Sequence, residues 1–363
     1  MTDSVANAAA NKKVRRFVTL DALRGVGAAT VMAGHAGPLL GGYSPPFFYL
    51  AVDMFFVLSG FVIACAYDEK MAGGMLPLEF LRARVRRLYP IYFVGLLAGL
   101  VSVLFNNPHG LSLAQAVVTF VCGLFALPSP PMGPFRALFP LNGPFWSLFL
   151  EFWIANVSFA FLWHSLRGKV LWAFIVFWAA VLLVGVLRAK SLDLGWNWHN
   201  APGGLARVCF SFYVGVFLAR LHAKRPPKLK VPSLMCLLAF CAVMVLPVGE
   251  VWTPIVGLFV IFVVFPALIY WGAEAIEGHP AVGRAFGDAS YALYAIHRPL
   301  IYVLAWLLTL KPFVFLQKQH ALLTQVGTMI FIGLLAWGIN SLFSRAKART
   351  ILSSSAPTKV GVP

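Results

Sequence analysis

The chain has 363 residues, 60% of them apolar and 11% charged, with a net charge of +17. Soluble domains of this size carry about 25% charged and 45–50% apolar residues. A mean hydropathy of +0.82 therefore excludes a soluble enzyme, a secreted disulfide scaffold and a disordered chain, and leaves a polytopic membrane protein.

In chain order, residues 1–18 are polar and end in a basic cluster, Lys12, Lys13, Arg15 and Arg16. A long apolar run follows with no small-residue cleavage site, the pattern of an uncleaved anchor. Segments long enough to cross ~30 Å of hydrocarbon fall near 19–40, 46–67, 88–105, 144–164, 170–187, 204–221, 231–248, 253–273, 287–310 and 321–344. The shorter stretch 113–128 is judged by charge. If it does not cross, 21 of the 29 lysines and arginines lie on the cytoplasmic side, and Arg136, Arg188, Lys190, Arg207, Arg298, Lys311 and Lys318 lie outside. If it crosses, the cluster Arg220–Lys230 becomes external, against the positive-inside rule. The expectation is an all-α transmembrane bundle of about ten spans with both termini cytoplasmic. Residues 106–143 form a long outer segment, partly re-entrant. One transmembrane domain covers 19–345, between a basic N-terminal segment (1–18) and a disordered cytoplasmic tail (346–363).

The basic excess reads as topological anchoring rather than a nucleic-acid surface. The five cysteines all lie in apolar runs without zinc-ligand spacing, so neither disulfide nor metal is expected.

Ionisable residues inside spans are costly and point to function. The first span, LDALRGVGAATVMAGHAG, holds Asp21, Arg24 and His35. Arg24 and His35 are eleven positions apart, which puts them within ~20° of one helix face with a rise of ~16 Å. Counting residues inward from the outer ends of three spans puts His35, Asp53 and Glu151 at one level, ~8–10 Å deep. His297 comes near mid-membrane. A histidine with a carboxylate partner is equipment for general-base catalysis on a hydroxyl; the alternative is a buried ion pair that glues helices. In the 68–87 loop, Arg82, Arg84, Arg86 and Arg87 suit a phosphorylated donor, or a lipid-facing anchor. Ser59 before Gly60 reads as a close helix contact. No P-loop, GxGxxG, HExxH or nucleophile elbow occurs.

With these motifs in hand, the chain resembles the integral-membrane acyltransferase family 3 over about 17–345. Arg24 and His35 stand in its arginine–ten residues–histidine signature, and AVDMFFVLSGFVI resembles its GVDLFFVLSGF segment. FLRARVRRLYPIY resembles its arginine-rich loop, FWSLFLEFW its WSLxxE segment, and DASYALYAIHRPL its YxxYxxHxP segment. Phe152 and Trp153 depart from the family's second Glu and Gln-Phe-Tyr, and the chain ends too soon for the C-terminal esterase-like domain of some members.

The resemblance implies an acyl-CoA-dependent O-acyltransferase of a bacterial inner membrane. It would move an acyl group, acetyl first among them, to a hydroxyl of a glycan or lipid-linked acceptor, alone or through a separate periplasmic partner. His35, Glu151 and Asp53 take the catalytic roles, and Arg24, Arg82 and Arg84 hold CoA. Trp146, Ser147, Tyr291 and His297 support substrate or fold. No metal or nucleic acid is expected, and membrane lipids surround the bundle. The competing reading is a proton-coupled transporter or lipid flippase, which would carry the same intramembrane charges.

Overall fold

A computed structural model describes residues 15–310, 314–315 and 319–354. Lys12, Lys13, Lys311, Lys318 and the tail beyond Ser354 lie outside the described residues. The described chain is helical: α1 (Val18–Leu40), α2 (Ala51–Ala72, entered through a 3-10 turn at Phe48–Leu50), α3 (Pro77–Ser102), α4 (Leu113–Leu124), α5 (Phe145–Leu162), α6 (Gly168–Ala189), α7 (Ala201–Lys224), α8 (Ser233–Val245), α9 (Thr253–Gly272), α10 (Pro280–Leu307) and α11 (Ala321–Ser354).

Seven of these are long and apolar enough to cross a membrane: Phe48–Ala72, α3, α5, α6, α7, α9 and α11 as far as Ala346. The expectation was about ten. The other three expected spans are helices outside that set. α8 has 13 residues, only ~20 Å of rise. α1 carries Asp21, Arg24 and His35, and α10 carries Arg284, Asp288, His297 and Arg298.

Side-chain bonds gather the helix ends into two layers. At one end Arg15 forks onto Glu274 after α9, at 2.6 and 3.0 Å, and Arg16 bonds Asp288 on α10. The Arg15 hydrogen bond holds the Glu274 carboxyl below the usual carboxylate range. There too, Arg220 of α7 joins Asp68 of α2 and the Leu166 carbonyl after α5. At the opposite end the Gln325 amide of α11 ties to the backbone of Ala33 and Tyr43, and there the backbone N–H of Phe47 also donates to the Met244 carbonyl. The first end holds most of the basic residues and is called the basic end below.

The stretch 113–128 holds a helix too short for the set long and apolar enough to cross a membrane. α4 has 12 residues, and its C-terminal carbonyls, Gly123 and Leu124, accept from Tyr92 and Tyr89 along α3. The chain then returns to the far end, where Leu138 pairs with Trp196. α4 buries only Ala116, Thr119 and Gly123 against the bundle and leaves Leu113, Val117, Val118 and Val121 exposed.

The 68–87 stretch is not a loop. α2 runs to Ala72 and α3 starts at Pro77, so the arginine-rich run forms the first turns of a helix. Proline at the first helical position and Glu79 reaching back to the Leu76 N–H explain the start. The last helix continues to Ser354.

The core is centred on two intimate helix pairs, α1 with α10 and α2 with α7. In the second the backbones touch: a Cβ on Gly60 would overlap the Phe212 carbonyl oxygen, and one on Gly215 the Val57 carbonyl oxygen. Small residues permit such approach between membrane helices. Gly60→Val or Gly215→Val is therefore expected to cost at least about 3 kcal/mol, the upper end of ordinary overpacking, because backbone cannot move aside. Thermal unfolding in detergent measures it, with Gly185→Ala, which meets open space, as the neutral control.

Candidate active site

Six helices, α1, α2, α3, α5, α10 and α11, line an open-sided cavity of about 860 Å³. Arg24, Arg84, Arg86, Arg87, Asp288 and Asn340 lie on its wall towards the basic end; Phe55, Ser147 and Tyr294 lie towards the other. Its walls mix apolar side chains with a few polar groups, as ligand sites do.

The arginines differ in what they already hold. Arg24 is spent on its neighbours: it donates to Asp21 at 2.9 Å, to the Ser290 hydroxyl at 2.9 Å and to the Gly287 carbonyl at 2.9 Å, joining α1 to α10. Arg84 is turned inwards and buried. One Nη donates to Glu151 at 3.2 Å, and its Nε–H is buried without a partner among the described residues. Arg86 and Arg87 are exposed at the basic end. Arg82, expected to hold the donor, is exposed and absent from the cavity wall; it lies two residues from Arg84, on another face of α3.

Glu151 does line the cavity. It accepts from the Ser59 hydroxyl at 2.6 Å as well as from Arg84. It sits in a π-helical turn, Leu150–Asn156, a local widening frequent at functional sites. Ser59 was read as a helix contact; Gly60 makes that contact instead, and Ser59 faces the cavity.

Asp53 is not part of this constellation. It is fully buried against Arg207 of α7, with both side chains inaccessible to solvent and bonds of 2.6, 3.1 and 3.2 Å. Arg207 also donates to the Leu194 and Tyr49 carbonyls and lies over the Trp146 ring at 5.2 Å. The sequence placed Arg207 with the outer residues; it is a buried clamp residue. The signal was available, since an arginine in an apolar helix requires a partner.

His35 also departs from expectation. Neither Glu151 nor Asp53 bonds its ring; it stacks on His297 at 5.4 Å and 19°, with Phe48 edge-on at 5.3 Å. His297 is fully buried. Its Nδ1 faces the carbonyls of Tyr294 and Leu293, at 2.9 and 3.2 Å. Carbonyls only accept, so Nδ1 carries the proton and Nε2 is left with a lone pair. That Nε2 has no partner among the described residues.

The remaining expected residues brace this region. The Ser147 hydroxyl bonds that of Tyr294 at 2.7 Å, and both reach the Pro144 carbonyl. Tyr291 lines the cavity and donates to the Leu88 carbonyl of α3. Trp146 packs against Phe56. Among the described residues no group of three or more His, Cys, Asp or Glu could hold a metal ion.

Comparison with known proteins gives this geometry a context. A family model described as an acyltransferase domain, that of acyltransferase family 3, matches residues 17–341. "Protein 2 in picA locus" of Rhizobium radiobacter is 36% identical over 157 residues, which is 40% of this chain and 81% of that protein. "Exopolysaccharide production protein ExoZ" of Rhizobium meliloti (strain 1021) is 28% identical over 277 residues, 70% of this chain and 77% of the relative. No solved structure matches. Because the family match takes in all six helices around the cavity, from Arg24 on α1 to Asn340 on α11, the chain belongs to acyltransferase family 3.

Proposed function

We propose that this protein is an acyl-CoA-dependent O-acyltransferase that moves a small acyl group, acetyl in the first instance, to a hydroxyl of a cell-envelope glycan. The observation that carries the reading is the cavity itself: arginines towards the basic end, and a stacked histidine pair behind its opposite end. Arg84, Arg86 and Arg87 offer guanidinium forks suited to the phosphates of CoA. An extended pantetheine arm reaches over the ~16 Å that separates Arg24 from His35 along α1. His35 then takes the proton of the acceptor hydroxyl as its oxygen attacks the thioester carbon; the C–S bond breaks, CoA leaves as the thiolate, and the imidazolium returns the proton to that sulfur. A glycan acceptor is favoured by the name of the Rhizobium meliloti relative, an exopolysaccharide production protein. The bacterial inner membrane is the matching site, between a cytosolic donor and an outer acceptor, with a separate partner as one route for the acyl group onward.

The test is release of CoA from radiolabelled acetyl-CoA by the purified protein in detergent. His35→Ala is expected to lower it 10²–10⁴-fold, the usual contribution of a general base, with thermal stability retained. Turnover near the wild-type rate in that variant would remove His35 from the chemistry. Absence of CoA binding by folded wild-type protein would remove the donor.

A further inference from the structure

The histidine pair does not open onto the cavity. His35 and His297 are both absent from its wall, whereas Tyr294 and Phe55 are part of it. Tyr294 touches Phe55 on one side, edge to face at 5.7 Å, and His297 on the other, at 5.7 Å. His297 in turn stacks on His35. An aromatic pair therefore stands between the place where a donor fits and the imidazoles.

The two rings are held in opposite ways. Tyr294 is buried and its hydroxyl is fixed by Ser147 and the Pro144 carbonyl. Phe55 is half-buried, packs on the apolar core without a polar anchor, and faces α1 at Gly27, where a Cβ would come within 2.8 Å of its Cε1. The missing side chain at Gly27 makes room for that ring. Tyr294 is thus anchored through its hydroxyl, whereas Phe55 is held by packing alone.

Resting on the proposed acyl-CoA reaction, we infer that Phe55 and Tyr294 are the selectivity element for the acyl group, passing short acyl chains from the cavity to His35 and holding back long or bulky ones. The opening scales with the aromatic volume at position 55.

Two measurements on the full-length protein in detergent test this. The first compares kcat/KM for octanoyl-CoA and acetyl-CoA. The octanoyl-to-acetyl ratio is expected to rise about tenfold or more in Phe55→Ala, the scale of discrimination that a fitted apolar pocket supplies. An unchanged ratio overturns the inference. The second needs no turnover. In His297→Cys protein, methanethiosulfonates of ethyl and benzyl size are compared by the labelling rate of residue 297, read by peptide mass so that the native cysteines do not interfere. The benzyl reagent is expected to lag about tenfold, and adding Phe55→Ala is expected to abolish the lag. Equal rates without that substitution, or a lag that survives it, overturn the inference. If wild-type protein turns over neither thioester, the acyl-CoA reading fails and the labelling decides the aromatic gate separately. Should Phe55→Ala unfold, Phe55→Leu carries both measurements.

Discussion

Asp53→Asn is expected to behave as a folding defect, lowering stability by about 3–5 kcal/mol and cutting the yield of protein in the membrane. Asp53 and Arg207 are wholly enclosed. Removing the negative partner leaves a guanidinium in an apolar interior with nothing to neutralise it. The pair is also a junction. Arg207 on α7 holds Asp53 in the first turn of α2, the Tyr49 carbonyl in the turn before it, and the Leu194 carbonyl between α6 and α7. A double replacement, Asp53→Leu with Arg207→Met, is expected to recover part of the loss, since buried ion pairs replaced by apolar groups of similar volume are often neutral. Recovery stays partial because the two carbonyls lose their donor, at about 1–3 kcal/mol for each group left unsatisfied. Thermal unfolding of the three proteins in one detergent decides the matter. A stable Asp53→Asn protein that has lost acyl transfer would instead return Asp53 to the chemistry.

That outcome bears on what the amino-acid sequence could reveal. Hydropathy was enough to find the helices, because it depends only on composition along the chain. Position along a helix was countable in the same way. Azimuth was not. Asp53, Glu151 and His35 were counted to one level, yet Asp53 turns to α7, Glu151 to Ser59 and Arg84, and His35 to α10. The π-helical turn at Leu150–Asn156 alters the face that Glu151 presents, and nothing in the local sequence announces it. The arginine-rich run was misread as a loop because charge interrupts an apolar pattern there. Capping at Leu76–Glu79 makes it a helix, and helical spacing then separates the inward Arg84 from the exposed Arg82. The pairing of His35 with His297, 262 positions apart in sequence, depends on α1 packing on α10, which only the folded chain reveals.

Arg84→Ala is expected to weaken CoA binding about 10–100-fold, the free-energy scale of one hydrogen bond to a charged group. Arg84 is buried in the cavity wall with its Nε–H unused, while Glu151 occupies one Nη. A buried donor without a partner carries a cost of about 1–3 kcal/mol, which an arriving phosphate or carbonyl oxygen would relieve. Glu151 and Ser59 fix the guanidinium plane, so the fork is set before the ligand arrives and little rotamer entropy remains to be lost. Arg84→Lys is expected to recover little of the affinity, because an ammonium cannot serve Glu151 and a second acceptor in the same planar geometry. Calorimetric titration with CoA measures all three proteins. In turnover, an interaction made equally with bound donor and transition state appears in KM while kcat stays close to wild type. The opposite split, kcat lost with KM retained, would mean that the Arg84–Glu151 pair acts on the reacting atoms. Unchanged affinity in Arg84→Ala would move the donor's anchor to the exposed Arg86 and Arg87 at the basic end of the cavity.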